Sequence, residues 1–278
     1  SNFEESIRAM QTAIQLAPEQ PNSYLQMAFL QLNVKQAAAA ERSFLKAVSL
    51  DSKMTAARIA LGNFYRQRGR SAEAEQEFRR AIEIDPMQPA IYGALAALLN
   101  DQGQLGGAEQ ILAQAKQAMP NQSTGYCLLG DFYFFLGDSG RALQEYGTLL
   151  QQHPGDEHVV KNYTKLLVLS SRLEEATKLN DNFLKNHGGD VDGLILRGQI
   201  LHAQRRFDAA LLPLESAIKS DPKNPVAHYS LGVTLISMGS TARGISELLE
   251  AKRLRPAMIE TYKALAAVAL RSGDMALL

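Results

Sequence analysis

Six of the ten prolines in this chain, Pro18, Pro86, Pro120, Pro154, Pro222 and Pro256, stand at multiples of 34 residues from one another. Three more, Pro21, Pro89 and Pro225, share a second position in the same register, and Pro213 alone falls outside it. Glycine marks a third position, at Gly69, Gly103, Gly137, Gly239 and Gly273, and alanine a fourth, at Ala40, Ala74, Ala108, Ala142, Ala176 and Ala210. Chain breakers on a fixed period of this length mean one supersecondary unit stacked many times, so length divided by an average domain size is no guide. The register cuts the 278 residues into a half unit 1–20, full units 21–54, 55–88, 89–122, 123–156, 157–190, 191–224 and 225–258, and a partial unit 259–278. Since no unit can bury its own apolar face, the whole of 1–278 reads as one solenoid.

Each unit predicts two helices. In 55–88, Leu61 and Tyr65 share one face of the first helix, Gly69 ends it, Ser71 is placed to cap the second, and Asp85-Pro86 ends that one. Glycine at unit position 15 supplies a left-handed residue without a Cβ penalty. Proline at position 32 stops the second helix, and proline at position 1 suits the first turn of the next, where no donor is needed. Position 8 is small (Ala28, Gly62, Ala96, Gly130, Thr164, Gly198, Gly232), while position 24 is mostly large (Phe44, Phe78, Leu112, Tyr146, Asn180, Leu214, Leu248). Small side chains at 8, 20 and 27 let helix axes approach while large ones at 7, 11 and 24 fill the space between.

A 34-residue helix-turn-helix with this pattern resembles the tetratricopeptide repeat (TPR), and the resemblance covers the whole chain, as in bacterial TPR scaffold proteins. It implies an all-α fold, a right-handed α-solenoid superhelix of helical hairpins, acting as a non-catalytic scaffold that binds a protein or peptide segment in a concave groove. At roughly 100° per residue, positions 2, 5, 9, 12 and 13 of the first helices form the stripe that lines the groove in that family. The candidate binding residues here are Leu25, Phe29, Ile59, Asn63, Arg66, Asn100, Asp131, Phe134, Phe135, Lys161, Lys165, Gln199, His202 and Tyr229. Phe134-Phe135 beside Lys161 and Lys165 is the preferred anchor, the lysines steering a partner's carboxylates. The carboxylate clamp of chaperone-binding relatives is missing, because Lys161 at position 5 is followed by Lys165 and not asparagine at position 9. The asparagine ladder of TPR glycosyltransferases is missing too, since Asn162 alone occupies position 6.

Composition narrows the function classes further. Lys plus Arg equal Asp plus Glu at 29 each, which leaves no net field to draw nucleic acid or an anionic membrane. No apolar run is long enough to span a bilayer, and one cysteine, Cys127, makes no internal disulfide. No P-loop, GxSxG, HExxH or dinucleotide fingerprint occurs, so neither an enzyme nor a cofactor or metal site is expected. His153 and His187 both stand at position 31, where an imidazole meets the carbonyls at a helix end; His228 reads as core. His158, Asp192 and His202 lack a metal-ligand spacing. Irregular residues in 157–224, including Ser171, Asn180 and a Pro213 expected to kink its helix, predict a softer joint there. Two alternatives stand beside the scaffold reading: a regulatory or assembly region of a larger enzyme or of a bacterial envelope, exopolysaccharide-export or protein-sorting system, and an array that self-associates end to end, since the chain opens on a lone second helix and closes at Leu277-Leu278. The expected chain is soluble, with cytoplasm and periplasm both open, and envelope-associated if a leader or lipid anchor has been removed.

Overall fold

The computed structural model of the chain describes residues 2–272, so Gly273 and the closing Leu277-Leu278 lie outside the described residues. Among the described residues there are seventeen helices and no strand. They are α1 (Asn2–Leu16), α2 (Pro21–Asn33), α3 (Ala37–Leu50), α4 (Thr55–Gln67), α5 (Ser71–Ile84), α6 (Pro89–Asp101), α7 (Leu105–Ala118), α8 (Ser123–Tyr126), α9 (Leu128–Phe135), α10 (Ser139–Gln152), α11 (Glu157–Leu169), α12 (Leu173–Asn186), α13 (Val191–Ala203), α14 (Phe207–Ser220), α15 (Pro225–Ser237), α16 (Thr241–Leu254) and α17 (Ile259–Ser272). The chain forms two compact units, 1–129 and 130–278.

Both units are built the same way, helix against sequence-adjacent helix. The residue at position 15 is left-handed throughout: Gly69, Gly103, Gly137 and Gly239 have φ between 71° and 87°, and Lys35, Ser171 and Arg205 adopt φ of 61°, 57° and 61° in the corresponding turns. Position 8 then meets position 24 across each hairpin. A Cβ on Gly62 would lie 2.7 Å from the Phe78 ring, one on Gly130 2.7 Å from Tyr146, and one on Gly198 2.4 Å from Leu214. In 157–190 the sizes are inverted, with the larger Thr164 at 8 and the shorter Asn180 at 24, both fully buried. Their polar atoms are satisfied, Thr164 Oγ1 donating to the Val160 carbonyl at 2.8 Å and Asn180 Nδ2 to the Gly193 carbonyl at 3.1 Å. The departure from pattern is thus a compensated pair.

Two expectations need correction. Ser71 does not cap α5: the N-cap is Arg70, whose side chain turns back to Glu73 and Glu41. The first helix of 123–156 is interrupted at Cys127, giving α8 and α9; Met119 is fully buried just before α8, and a Cβ on Gly125 would stand 2.5 Å from it, so this turn is crowded. Pro213, expected to kink its helix, stands inside α14, which stays helical from Phe207 to Ser220. The carbonyl that proline leaves without its donor belongs to Ala209, an exposed residue whose oxygen water can serve.

A latch not visible in the pattern ties three hairpins, 55–88, 89–122 and 225–258, to the loop before them. The residue at position 4 reaches the carbonyl of position 32 before it: Arg58 Nε to Ser52 O at 2.9 Å, Tyr92 Oη to Pro86 O at 3.1 Å, and a ring nitrogen of His228 to Pro222 O at 3.0 Å. Arg58 and His228 also pair, each at 2.6 Å, with the position-23 carboxylates Glu77 and Glu247 of their own hairpins. His228 is accordingly a core residue.

Candidate functional site

Positions 5, 6, 9, 12 and 13 of the first helices line one apolar cavity in each unit. In 1–129, Phe29, Leu32, Phe44, Ile59, Asn63 and Phe64 bound a cavity of about 350 Å³. Phe29 meets Phe44 edge to face at 5.5 Å and Phe44 meets Phe64 at 5.8 Å, a rigid aromatic floor on which Phe29 remains half exposed. In 130–278, Lys165, Val168, Leu169, Gln199, His202, Tyr229 and Val233 bound a second cavity of about 390 Å³. Seven of the candidate residues therefore line cavities: Phe29, Ile59 and Asn63 the first, Lys165, Gln199, His202 and Tyr229 the second.

The other seven are placed differently. Leu25, Arg66 and Asn100 are half-buried and line neither cavity. Phe134 is half-buried beneath Lys165, whose Nζ lies 5.1 Å from the ring centre, while Phe135 is 80% exposed. Lys161, expected to steer a partner's carboxylates, is engaged within the chain: Nζ donates to Asp190 at 2.7 Å and lies 3.5 Å from Glu157 and 3.6 Å from Asp192. Burial alone would lower its pKa, but the Asp190 hydrogen bond and the surrounding carboxylates outweigh it, so the ammonium is held above its ordinary range. Asp190 also caps α13, accepting from Gly193 N–H at 2.8 Å. Lys165, by contrast, rests over the Phe134 ring and makes no ion pair among the described residues.

Asp131 belongs to a polar network. It accepts from Tyr146 Oη and from Asn162 Nδ2 at 3.2 Å, and lies 3.6 Å from His158 Nε2. The Asp131 contact raises the His158 pKa against the effect of burial. His202 shifts the other way, lowered by burial, and its Nδ1 sits 3.0 Å from Thr234 Oγ1. His158, Asp192 and His202 thus each go to a separate partner, and no group of three metal-ligating side chains occurs among the described residues. His187 caps α12 with Nδ1 at 3.1 Å from the Phe183 carbonyl and its ring stacked on Phe183 at 4.5 Å.

Position 6 was missed in the stripe. Ala60 and Ser230 both line cavities, and a signal existed, since position 6 lies one turn from both 2 and 9 on a helix. Phe44 was read as a packing residue only and Phe64, at position 10, was not singled out; both are buried and line the first cavity at once.

A family model described as tetratricopeptide repeat matches residues 1–188, and a second of the same description matches 165–225 and 195–259. Over 92 residues the chain is 32% identical to the uncharacterized protein y4yS of Sinorhizobium fredii, covering 33% of this chain and 50% of that one. Over 95 residues it is 25% identical to tetratricopeptide repeat protein 37 of Xenopus laevis, covering 32% of this chain and 6% of that one. The matched segment thus spans half or less of these relatives. Among solved structures, yeast Tom70 superposes with a TM-score of 0.68 at 16% identity, over 98% of this chain and 59% of Tom70. A tetratricopeptide repeat protein from Parabacteroides merdae gives 0.50 at 15% identity, over 84% of this chain and 92% of that one. These likenesses show a shared all-α repeat fold.

Proposed function

Because the chain belongs to the tetratricopeptide repeat family, we propose that it is a non-catalytic interaction scaffold that holds a segment of another protein along positions 5, 6 and 9 of its first helices. The reading takes 1–278 as one array in the 34-residue register set out above. The observation that carries it is the pair of apolar cavities on that stripe, one floored by Phe29, Phe44 and Phe64 and one walled by Val168, Leu169 and Val233. Burying one large apolar side chain contributes about 1.5–3 kcal/mol, whereas micromolar binding needs about 8 kcal/mol after association costs. Several anchors must act together, and each cavity supplies several, Phe29, Phe44, Ile59 and Phe64 in the first and Val168, Leu169, Tyr229 and Val233 in the second. No described helix is long and apolar enough to cross a membrane.

Affinity capture from the source organism, run in parallel with the wild type, Ile59→Asp and Gln114→Asp, tests the reading. Ile59 lines the first cavity, while Gln114 is exposed on α7 and lines neither cavity. A partner lost with Ile59→Asp and kept with Gln114→Asp is the expected result; a partner list unchanged by Ile59→Asp counts against the groove.

A further inference from the structure

The cavity in 130–278 carries more chemistry than its counterpart. Lys165 is the one charged side chain lining it. Among the described residues Lys165 pairs with no carboxylate; its ammonium rests over the Phe134 ring, while the neighbouring Lys161 is neutralised by Asp190. The cavity therefore presents a single positive charge at the edge of an aliphatic wall to which the exposed Leu169 belongs.

Hydrogen-bond direction fixes a second group. Thr234 Oγ1 donates its one proton to the Ser230 carbonyl at 2.8 Å. The 3.0 Å contact between that hydroxyl and His202 Nδ1 must then have the imidazole as donor. Burial keeps the ring neutral by lowering its pKa, so the proton on Nδ1 leaves Nε2 with a lone pair and, among the described residues, no partner. Gln199 is likewise set, its Nε2 donating to Ser230 Oγ at 3.0 Å, with its amide oxygen left as an acceptor. A cation, two acceptors and an aliphatic wall surround a space at the low end of ligand-site volumes, about 300–1,000 Å³.

We propose that this cavity seats one large apolar side chain of an acidic amphipathic segment, with a carboxylate one helical turn or less away on Lys165 and a donor of the same segment on His202 Nε2. The proposal rests on the groove reading above and names the chemistry of its occupant. Panning random short peptides displayed on phage against the full chain tests it. The wild type is expected to enrich peptides that place Leu, Ile or Phe within a turn of Asp or Glu. A synthetic peptide from that set should bind Lys165→Glu about fivefold or more weakly, a typical exposed charge-pair effect of about 1 kcal/mol. Its counterpart with the acid replaced by lysine should regain affinity for Lys165→Glu. Leu169→Asn, a change at a side chain 61% exposed, should weaken binding without disturbing the fold. Enrichment without acidic residues, or equal affinity for the wild type and Lys165→Glu, overturns the proposal. So do peptides released by Ile59→Asp but not by Leu169→Asn, and these would leave the groove reading standing. Enrichment of no peptide by either cavity overturns both.

Discussion

The turn between the two helices of each hairpin places one residue in a left-handed conformation whatever its side chain. At Gly103, with φ of 73°, a Cβ would meet nothing within 4 Å, so an alanine there suffers from backbone conformation alone. Lys35 and Ser171 carry that same strain in the native chain, with φ of 61° and 57°. A left-handed non-glycine residue costs roughly 1–2 kcal/mol, offset in part by the entropy glycine loses on folding. Gly103→Ala should therefore destabilise by about 1 kcal/mol, and Lys35→Gly and Ser171→Gly should each stabilise by about 0.5–1 kcal/mol. Urea midpoints at constant slope measure all three. Stabilisation by Gly103→Ala would show that the turn relaxes in solution.

At the scale of the helix, the two units differ in how their first helices begin. Asp156, Asp190 and Asn224 cap α11, α13 and α15 with side-chain oxygens, whereas Gln20, Met54, Gln88 and Gln122 precede α2, α4, α6 and α8 without a side-chain cap bond. Gln88 has extended φ and ψ of −104° and 102° and precedes Pro89, the arrangement that Asn224 and Pro225 share. Gln88→Asp should raise stability by about 0.5–2 kcal/mol, read as a higher thermal midpoint; an unchanged midpoint would mean that the aspartate turns to solvent. Helix type and most helix ends were legible because proline and glycine act on the backbone directly, within a residue or two, whereas the break at Cys127 carries no such residue. The latch at position 4 was not legible, since Arg58, Tyr92 and His228 share no residue type, only a reach to one carbonyl. The cavities were half legible: helical phase picks out positions 5 and 9, but which lysine remains free depends on Asp190, 29 residues beyond Lys161.

Across the whole molecule, stability in a stacked array is a sum over units and their nearest neighbours, and it should respond to pH and to mutation unit by unit. His158 and His202, both in 130–278, respond to pH with opposite sign. The Asp131 contact raises the folded pKa of His158, so its stabilisation is complete below the ordinary histidine value of about 6.5 and disappears as pH rises through the folded value. Burial lowers that of His202, whose contribution is complete above about 6.5 and declines as pH falls toward its folded value. NMR titration should find His158 above and His202 below the ordinary value, with Asp131→Asn moving His158 alone; two unshifted midpoints would mean that neither contact persists in solution. Mutation tests locality from the other end of the chain. Arg58 and Glu77 are a buried pair, their side chains 8% and 9% exposed, with Arg58 also holding the Ser52 carbonyl. Glu77→Ala leaves a buried guanidinium without its carboxylate, at a cost of about 3–5 kcal/mol. Because 1–129 is a compact unit of its own, that loss should appear in hydrogen exchange as weakened protection over α4 to α7, with α13 to α16 protected as in the wild type. Equal loss in α13 to α16 would mean that the two units open together, and the nearest-neighbour account of this array would fail.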